Sequence, residues 1–251
     1  MWGHRSQDAP RVFGHRGAMG HCPENTFASF ERAVQQGVDA IELDIHLTRD
    51  DRLAVIHDHH LDRTTSGSGT VRQHLLAEIQ ALDAGSHFSP EFAGERVPEL
   101  DEVLDWARDR CVLDIEIKGG YAPYPGISQH VVRAIQRHSA QDRVIVISFD
   151  HPTVAQVKGL APDVATGVLW ACRPVDPVGV ARAANADAIL PHWTHCYAED
   201  VSLAHAAGIS VHPWATSEPA EIESLIDAGV DSICSNHPDR VIKLVRQRGA
   251  R

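Results

Sequence analysis

Two acidic side chains share one face of a short apolar segment. Within Ala40–Ile45, Glu42 and Asp44 alternate with isoleucine and leucine residues. Alternate residues of a β-strand point to opposite faces, so both carboxylates face one side and the apolar side chains face the other. Like charges on one buried face are costly unless a cation or bound protons neutralise them. In a barrel, the apolar set would meet the outer helices and the carboxylates would face inward.

A second segment repeats this arrangement. Asp114, Glu116 and Lys118 share one face of a strand whose other face is leucine and isoleucine. Glu42, Asp44 and Glu116 could therefore converge as an all-oxygen site, which suits Mg²⁺ or Ca²⁺ better than zinc. A charge ladder on a solvated sheet, or an ion-pair cluster around Lys118, would also explain one such strand. The alternating pattern of carboxylates occurs on two strands, which makes this alternative the weaker one.

Two histidines lie at the C-terminal ends of predicted strands and have charged neighbours. His15 is followed by Arg16, and His57 is followed by Asp58. Histidine transfers protons near neutral pH, and the planar guanidinium of arginine donates to phosphate oxygens. The chain has 17 histidines, so a surface or structural role is expected for most of them.

The elements that must position these residues alternate along the chain. Predicted strands are Val12–Gly14, Ala40–Ile45, Leu53–His57, Val112–Ile117, Val144–Ser148, Ala165–Trp170, Ala186–Leu190, Ile209–Trp214 and Ser232–Cys234. Predicted helices include Thr26–Gln36, Glu99–Arg108, Ile127–His138, His151–Gly159, Ala198–Ala207 and Pro219–Ala228, with Gly37, Gly208 and Gly229 at helix ends. This alternation predicts a parallel sheet covered by helices.

A closed barrel needs eight strands, and nine are predicted. The gap between Ile45 and Leu53 is too short for a crossover helix, so one of that pair is expected to be a hairpin partner or irregular. An open doubly wound sheet stays possible, although no G-x-G-x-x-G loop supports a dinucleotide site. Residues 59–98 form a glycine- and proline-rich insertion with a helical pattern around Leu75–Leu82. We expect it to cap one end of a single domain spanning residues 1–251.

The bulk composition restricts the partners. The net charge of −11 argues against nucleic acid, because no basic stripe is available to displace counterions from a phosphate backbone. No stretch is long and apolar enough for a membrane span, and Met1 to Val12 contains no secretion-signal core. Five scattered cysteines without C-x-x-C spacing predict free thiols and a cytoplasmic protein. The sequence carries no signal for an oligomeric state.

An ordered set of short motifs resembles the glycerophosphodiester phosphodiesterase family. The motifs are His15-Arg16-Gly17, Pro23-Glu24-Asn25-Thr26, Glu42-Leu43-Asp44, His57-Asp58, Leu61-Asp62-Arg63-Thr64-Thr65, Gly67-x-Gly69, Glu116-Ile117-Lys118 and Ser148-Phe149-Asp150. Any one of them is weak, but the ordered set is highly specific and covers most of residues 12–240.

The resemblance implies a distorted (β/α)₈ TIM barrel that hydrolyses glycerophosphodiesters to glycerol 3-phosphate and an alcohol. It implies a catalytic acid–base pair of His15 and His57, and one divalent cation, Mg²⁺ or Ca²⁺. The residues implied to hold the cation are Glu42, Asp44 and Glu116, and those predicted to contact the small phosphodiester substrate are Arg16, Lys118, Phe149 and Trp214.

Three positions depart from the family pattern, and three other functions stay open. Cys22 replaces a usual alanine, Trp214 is followed by Ala-Thr-Ser, and the usual Thr-Asp near the end is Ser235-Asn236. We expect Cys22 to be tolerated, because both residues are small. We expect the other two changes to affect the choice of alcohol group and to leave the metal site and both histidines intact. A lysophospholipase D would use an apolar groove, for which Trp170, Trp193 and Trp214 are candidates. The remaining alternatives are a metal-dependent sugar isomerase or aldolase on the same fold, with Lys118 as the candidate Schiff-base lysine of an aldolase, and a catalytically silent binding barrel.

Overall fold

The computed structural model describes residues 9–119 and 124–249, in which nine strands alternate with helices. The strands are β1 Arg11–Gly14, β2 Ala40–Leu47, β3 Leu53–Val55, β4 Val112–Ile117, β5 Val144–Ser148, β6 Ala165–Trp170, β7 Ala188–Pro191, β8 Ser210–Val211 and β9 Ser232–Ser235. The α-helices are α1 Phe27–Gln36, α2 Leu76–Gln80, α3 Leu100–Trp106, α4 Ile127–Arg137, α5 His151–Leu160, α6 Pro177–Ala183, α7 Ala198–Ala206, α8 Pro219–Ala228 and α9 Pro238–Gly249. Short 3₁₀ helices occupy Val71–Gln73, Pro90–Phe92, Gln141–Arg143 and Trp193–His195. Of these α-helices, α6 and α9 were not predicted from the sequence.

Eight parallel strands form a nearly closed barrel in the order β8-β7-β6-β5-β4-β2-β1-β9. Backbone hydrogen bonds join the two ends of this order. Asp231 N–H donates to Val211 O at 2.9 Å, and Cys234 N–H donates to Pro213 O at 3.2 Å. The predicted (β/α)₈ barrel is therefore confirmed. The described residues include no helix that is both long and apolar enough to cross a membrane.

The ninth strand, β3, is the expected hairpin partner. It pairs antiparallel with β2, with Ile45 opposite Val55 and Leu47 opposite Leu53. The sequence placed His57 at the end of this strand, but β3 ends at Val55 and runs in the direction opposite to the barrel strands. His57 therefore returns toward the barrel mouth from above it, because the connection of five residues between β2 and β3 is too short for a crossover and allows only a hairpin.

The alternating strands separate two apolar layers. Ile41, Leu43 and Ile45 of β2 are fully buried in the layer between the barrel and the helices, as predicted. A smaller cluster, which includes Phe13 and Leu190, fills the barrel interior. Because successive side chains alternate between these layers, Glu42 and Asp44 must point into the barrel.

Glycines end two of the helices as predicted. Gly37 closes α1 and Gly229 closes α8, with left-handed φ values of 92° and 79°. Gly208 has a φ of 78° and directly follows Ala207, the C-cap residue of α7. Each helix thus stops in time for the chain to turn into the next barrel strand.

The insertion leaves β3 and returns to α3 with a small apolar cluster of its own. Leu61, Val71, Ile79 and Val97 are buried in that cluster together with Ile56. It lies on the side of the barrel where β2 ends, which is the same end as the predicted site. Residues 1–8 lie outside the described residues. They belong to the segment in which the sequence predicts no secretion-signal core.

Candidate active site

The register between β2 and β4 brings the acidic residues together. Asp44 lies opposite Glu116, and Glu42 lies opposite Asp114, all four buried on the inner face of the barrel. One oxygen from each of Glu42, Asp44 and Glu116 can be chosen so that the three atoms lie within 4.8 Å of one another. Two strands with separate alternating patterns therefore present one compact cluster of carboxylates.

Two cations contact this cluster. Lys118 Nζ lies 2.8 Å from Asp44 Oδ1 and 2.8 Å from Glu116 Oε1. Arg16 Nε lies 3.2 Å from Asp44 Oδ2, and the Arg16 backbone N–H donates to Glu42 Oε2 at 2.9 Å. Although burial opposes ionisation, these cations hold the pKa of the Asp44 carboxyl well below its usual range. Asp44 is thus an anion held between two positive charges.

The other carboxyls lack enough positive charge to ionise together. Burial, reinforced by the Asp44 charge, raises the pKa of Glu42 well above its ordinary value. Burial also raises the pKa of Glu116 to about 7, and it raises that of Asp114 well above normal. Asp114 Oδ1 is buried without a hydrogen-bond partner. An all-oxygen cluster that must otherwise retain protons fits a hard divalent cation.

His15 is held at the mouth by a residue from the far end of the sequence. Its Nδ1 lies 2.6 Å from Asn236 Oδ1, and its Nε2 lies 3.9 Å from Glu42 Oε2. The amide oxygen can only accept, so Nδ1 carries the hydrogen and Nε2 keeps a free lone pair. Burial and the neighbouring Arg16 lower the pKa of His15 to about 4. The ring is therefore neutral and able to accept a proton at Nε2.

His57 has a charged partner in place of an amide. Its Nδ1 lies 2.6 Å from Asp58 Oδ1, and Arg63 Nε donates to the other oxygen of Asp58 at 2.7 Å. The Arg63 hydrogen bond holds the pKa of Asp58 well below its usual range. Burial lowers the pKa of His57 below its ordinary value, and the Asp44 charge and the Asp58 contact oppose this shift without reversing it. The two histidines therefore differ in which protonation state their partners favour.

A buried histidine that the sequence did not single out supports His57. His46 Nε2 lies 2.9 Å from the His57 backbone oxygen, and its Nδ1 lies 2.7 Å from Tyr124 Oη. Burial lowers the pKa of His46 to about 3, so the ring is neutral, with Nε2–H donating and Nδ1 accepting. The alternation Glu42, Asp44, His46 along β2 was the available signal, because all three share the inner face.

The Pro-Glu-Asn-Thr motif supports the cluster from the loop after β1. Asn25 Nδ2 donates to Asp44 Oδ2 at 2.8 Å, and Glu24 Oε1 accepts from Arg16 at 2.9 Å. Asn25 and Arg16 both have positive φ values, 58° and 49°. Side chains rarely adopt this backbone conformation, and such strain is concentrated at functional sites. The sequence contained the motif, but it did not show which side chain Asn25 holds.

A cavity of about 330 Å³ opens beside the carboxylates, and His15, Glu42, Glu116 and Trp214 are among its lining residues. Trp214 Nε1–H donates to Leu190 O at 2.9 Å, and the Phe149 ring packs edge-on against Trp214 at 5.3 Å between centroids. Phe149 is 45 % exposed. The two rings thus provide an apolar wall at the mouth.

Comparison with known proteins decides the family. A sequence profile described as the glycerophosphoryl diester phosphodiesterase family matches residues 15–240. The chain belongs to this family. A glycerophosphodiester phosphodiesterase of Caldanaerobacter subterraneus subsp. tengcongensis is 41% identical over 239 residues, which cover 95% of this chain and 98% of the relative. One from Bacillus altitudinis is 35% identical over 238 residues, covering 93% and 97%.

A solved structure extends the similarity to three dimensions. The phosphodiesterase of Oleispira antarctica, determined in complex with the product sn-glycerol-3-phosphate, has a TM-score of 0.87 and 28% sequence identity. The match covers 95% of this chain and 97% of that one. Like its relatives, the present family member is a phosphoric diester hydrolase on a TIM barrel.

Membership of the phosphodiesterase family agrees with the protonation state of the Lys118 amine. The carboxylates of Asp44 and Glu116 raise the pKa of Lys118 above its ordinary value. A lysine that forms a Schiff base must lose its proton, and such lysines have a lowered pKa. The aldolase alternative therefore lacks its nucleophile.

One departure from the family pattern has a consequence that the sequence did not reveal. The change at Asn236 was expected to affect the choice of alcohol group, and its side chain also contacts His15 directly. The sequence did not show this contact, because it depends on the pairing of β9 with β1, which brings the two strand ends together. Of the three tryptophans considered for an apolar groove, Trp214 lines the cavity, whereas Trp170 and Trp193 pack in the outer layer.

Proposed function

We propose that this enzyme hydrolyses glycerophosphodiesters to glycerol 3-phosphate and an alcohol, with a bound divalent cation and two histidines. The observation that carries the proposal is the carboxylate cluster at the barrel mouth, flanked by two histidines with different partners. Glu42, Asp44 and Glu116 supply the anionic oxygens, and His15 and His57 supply the proton-transfer groups.

Glu42, Asp44 and Glu116 would hold one Mg²⁺ or Ca²⁺. If all three ionise against Arg16 and Lys118, one negative charge is left. A divalent ion makes this group positive by one, which a singly charged phosphodiester then neutralises. When bound, the ion polarises the phosphoryl oxygens and stabilises the charge that builds on them.

His15 is the better base of the two histidines. Asn236 keeps the hydrogen on Nδ1 and adds no negative charge, so Nε2 is free to remove a proton from the attacking oxygen. The attacker is either the glycerol hydroxyl beside the phosphate, through a cyclic phosphate, or a water molecule.

His57 is the better acid. The Asp58 carboxylate at 2.6 Å favours its protonated form, which can donate to the leaving alkoxide. An alkoxide leaves poorly without a proton, so the reaction needs both groups. We therefore assign the first proton removal to His15 and the proton donation to His57.

The remaining predicted residues would orient the substrate. Arg16 and Lys118 carry the positive charge nearest the carboxylates and are suited to phosphate oxygens. Trp214 and Phe149 form the wall against which the alcohol group would lie. We also propose a cytoplasmic location, since all five cysteines are free, including Cys22 and Cys234 in the interior.

A turnover panel tests the proposal. Purified enzyme is assayed with glycerophosphocholine, glycerophosphoethanolamine and lysophosphatidylcholine, each with Mg²⁺, with Ca²⁺ or with a chelator, and both products are quantified. We expect glycerol 3-phosphate from the glycerophosphodiesters and loss of activity in chelator. Turnover of the lysophospholipid alone would identify a lysophospholipase D, and full activity in chelator would exclude the cation.

A further inference from the structure

Beside the active site, three metal-binding side chains from two distant loops meet. His21 lies in the loop after β1, and His237 and Asp239 lie where β9 leads into α9. His21 Nε2 is 2.9 Å from Asp239 Oδ1 and 3.3 Å from His237 Nδ1. The imidazole rings are perpendicular, with centroids 4.9 Å apart. None of these three residues belongs to the catalytic group described above.

The donor atoms converge in a way that suits an ion. His21 Nε2 faces both a carboxylate oxygen and an imidazole nitrogen, and this nitrogen has either one hydrogen or one lone pair. Without an ion, a single N–H must be shared between the two partners. The two nitrogens and the oxygen lie within 4.8 Å of one another, so each could direct a lone pair to an ion between them. The side chains of His21 and Asp239 are 30% and 47% exposed, so an ion can enter from solvent.

The separation of the two imidazole nitrogens matches the coordination sphere of a transition metal, whereas the 2.9 Å between His21 Nε2 and Asp239 Oδ1 is a hydrogen-bond distance that would lengthen around an ion. Zinc binds imidazole nitrogen at about 2.0–2.1 Å in tetrahedral geometry, which places neighbouring ligand atoms about 3.3–3.4 Å apart. The nitrogens of His21 and His237 lie 3.3 Å apart. We propose that His21, His237 and Asp239 bind one transition-metal ion of the Zn²⁺ class, separately from the carboxylate site. Two imidazoles and one carboxylate select such an ion over Mg²⁺ or Ca²⁺.

Gly20 gives this site its shape. A Cβ atom at this position would lie 2.3 Å from His237 Cε1, so the ring occupies space that only a glycine leaves. The Gly20 backbone N–H also donates to Asn236 O at 2.9 Å. Arg240 is a positive charge near His237. Its guanidinium contacts Ser217 O at 3.3 Å and the Glu218 carboxylate at 3.8 Å.

A metal here would join the loop that carries Arg16 to the loop that carries Asn236. These loops belong to β1 and β9, and the two histidines that join them are 216 positions apart in the sequence. An ion that binds the folded state and not the unfolded chain stabilises the fold. The site would therefore hold together the two loops that position His15.

Zinc titration tests the site directly. Calorimetry with ZnCl₂ is performed on protein kept in excess Ca²⁺, for the wild type and for His237→Ala, Gly20→Ala and Glu42→Gln. His60→Ala is the matched control, since exposed His60 has one carboxylate, Asp62, at 3.9 Å and, among the described residues, belongs to no group of three converging metal-ligating side chains. Circular dichroism and thermal unfolding without zinc establish that each variant is folded.

We expect one zinc equivalent in the wild type that survives in Glu42→Gln and His60→Ala. The affinity for zinc should fall at least about ten-fold in His237→Ala, because this variant loses a ligand. A similar loss in Gly20→Ala, which retains every donor, would support the geometry. The proposal is overturned if His237→Ala binds zinc like the wild type, or if the equivalent disappears only in Glu42→Gln. Neither result depends on turnover, so this test is separate from that of the proposed activity.

Discussion

Replacing Asn236 with Asp tests which histidine is the base. The change exchanges a neutral oxygen for a charged one at 2.6 Å from His15 Nδ1. An opposite charge at such range raises the pKa of an imidazole by about 1–3 units, worth about 1.4–4 kcal/mol. The starting pKa is about 4, lowered by burial and Arg16. Since a base works only when unprotonated, the acidic limb of the rate profile should move to higher pH by about 1–3 units.

Asp58→Asn is the matched opposite change. It removes the charge 2.6 Å from His57 Nδ1 and should lower the pKa of that imidazole. Since an acid works only when protonated, the basic limb should move to lower pH. The two variants thus narrow the same bell-shaped profile from opposite sides.

The assay is the initial rate of glycerol 3-phosphate release from about pH 4 to pH 9 at saturating Ca²⁺. Bound metal is measured at each pH, so that loss of the ion is not mistaken for titration of a histidine. If Asn236→Asp moves the basic limb, the two roles are reversed. If neither limb moves in either variant, the reasoning from the Nδ1 partners is refuted.

Other predictions concern the histidines, the cation and the buried acid. His15→Ala and His57→Ala should each lower kcat by about 10²–10⁴ in steady-state kinetics. The double variant should lose much less than the product of the two single losses. Retained turnover in His57→Ala, or loss of bound metal from this variant, would exclude the acid role of His57. Glu42→Gln should weaken Ca²⁺ binding about ten-fold or more by calorimetry, and unchanged affinity would remove it from the ligand set. Asp114→Asn should flatten the pH dependence of stability: its raised pKa means that the folded state retains a proton that the unfolded state loses above about pH 4. Asp114 alone should therefore lower the stability of the wild type by about 1.4 kcal/mol per pH unit between its two pKa values, and the variant should lack this part of the slope. Urea unfolding in chelator would measure this slope, and equal slopes in both proteins would contradict it.

The parallel barrel strands and the faces of their side chains follow from the sequence. The alternation in β2 and β4 placed Glu42, Asp44 and Glu116 on inner faces, because a strand has a side-chain period of two. The short gap before Leu53 excluded a crossover helix and left a hairpin partner or an irregular strand. The ordered motifs added the identity of the family. All of these signals are local, so each can be recognised without knowing the neighbouring strand.

Only the tertiary structure decided which residues meet. The β2–β4 register sets Asp44 opposite Glu116, and packing selects that register from several with the same facing. His57 reaches the site along an antiparallel strand, held there by the buried side chain of His46. Asn236 reaches His15 across 221 positions because β9 pairs with β1 to complete the barrel. The period of side chains along a strand determines the face on which a residue lies. Which residue of another strand it meets on that face depends on how distant strands pack.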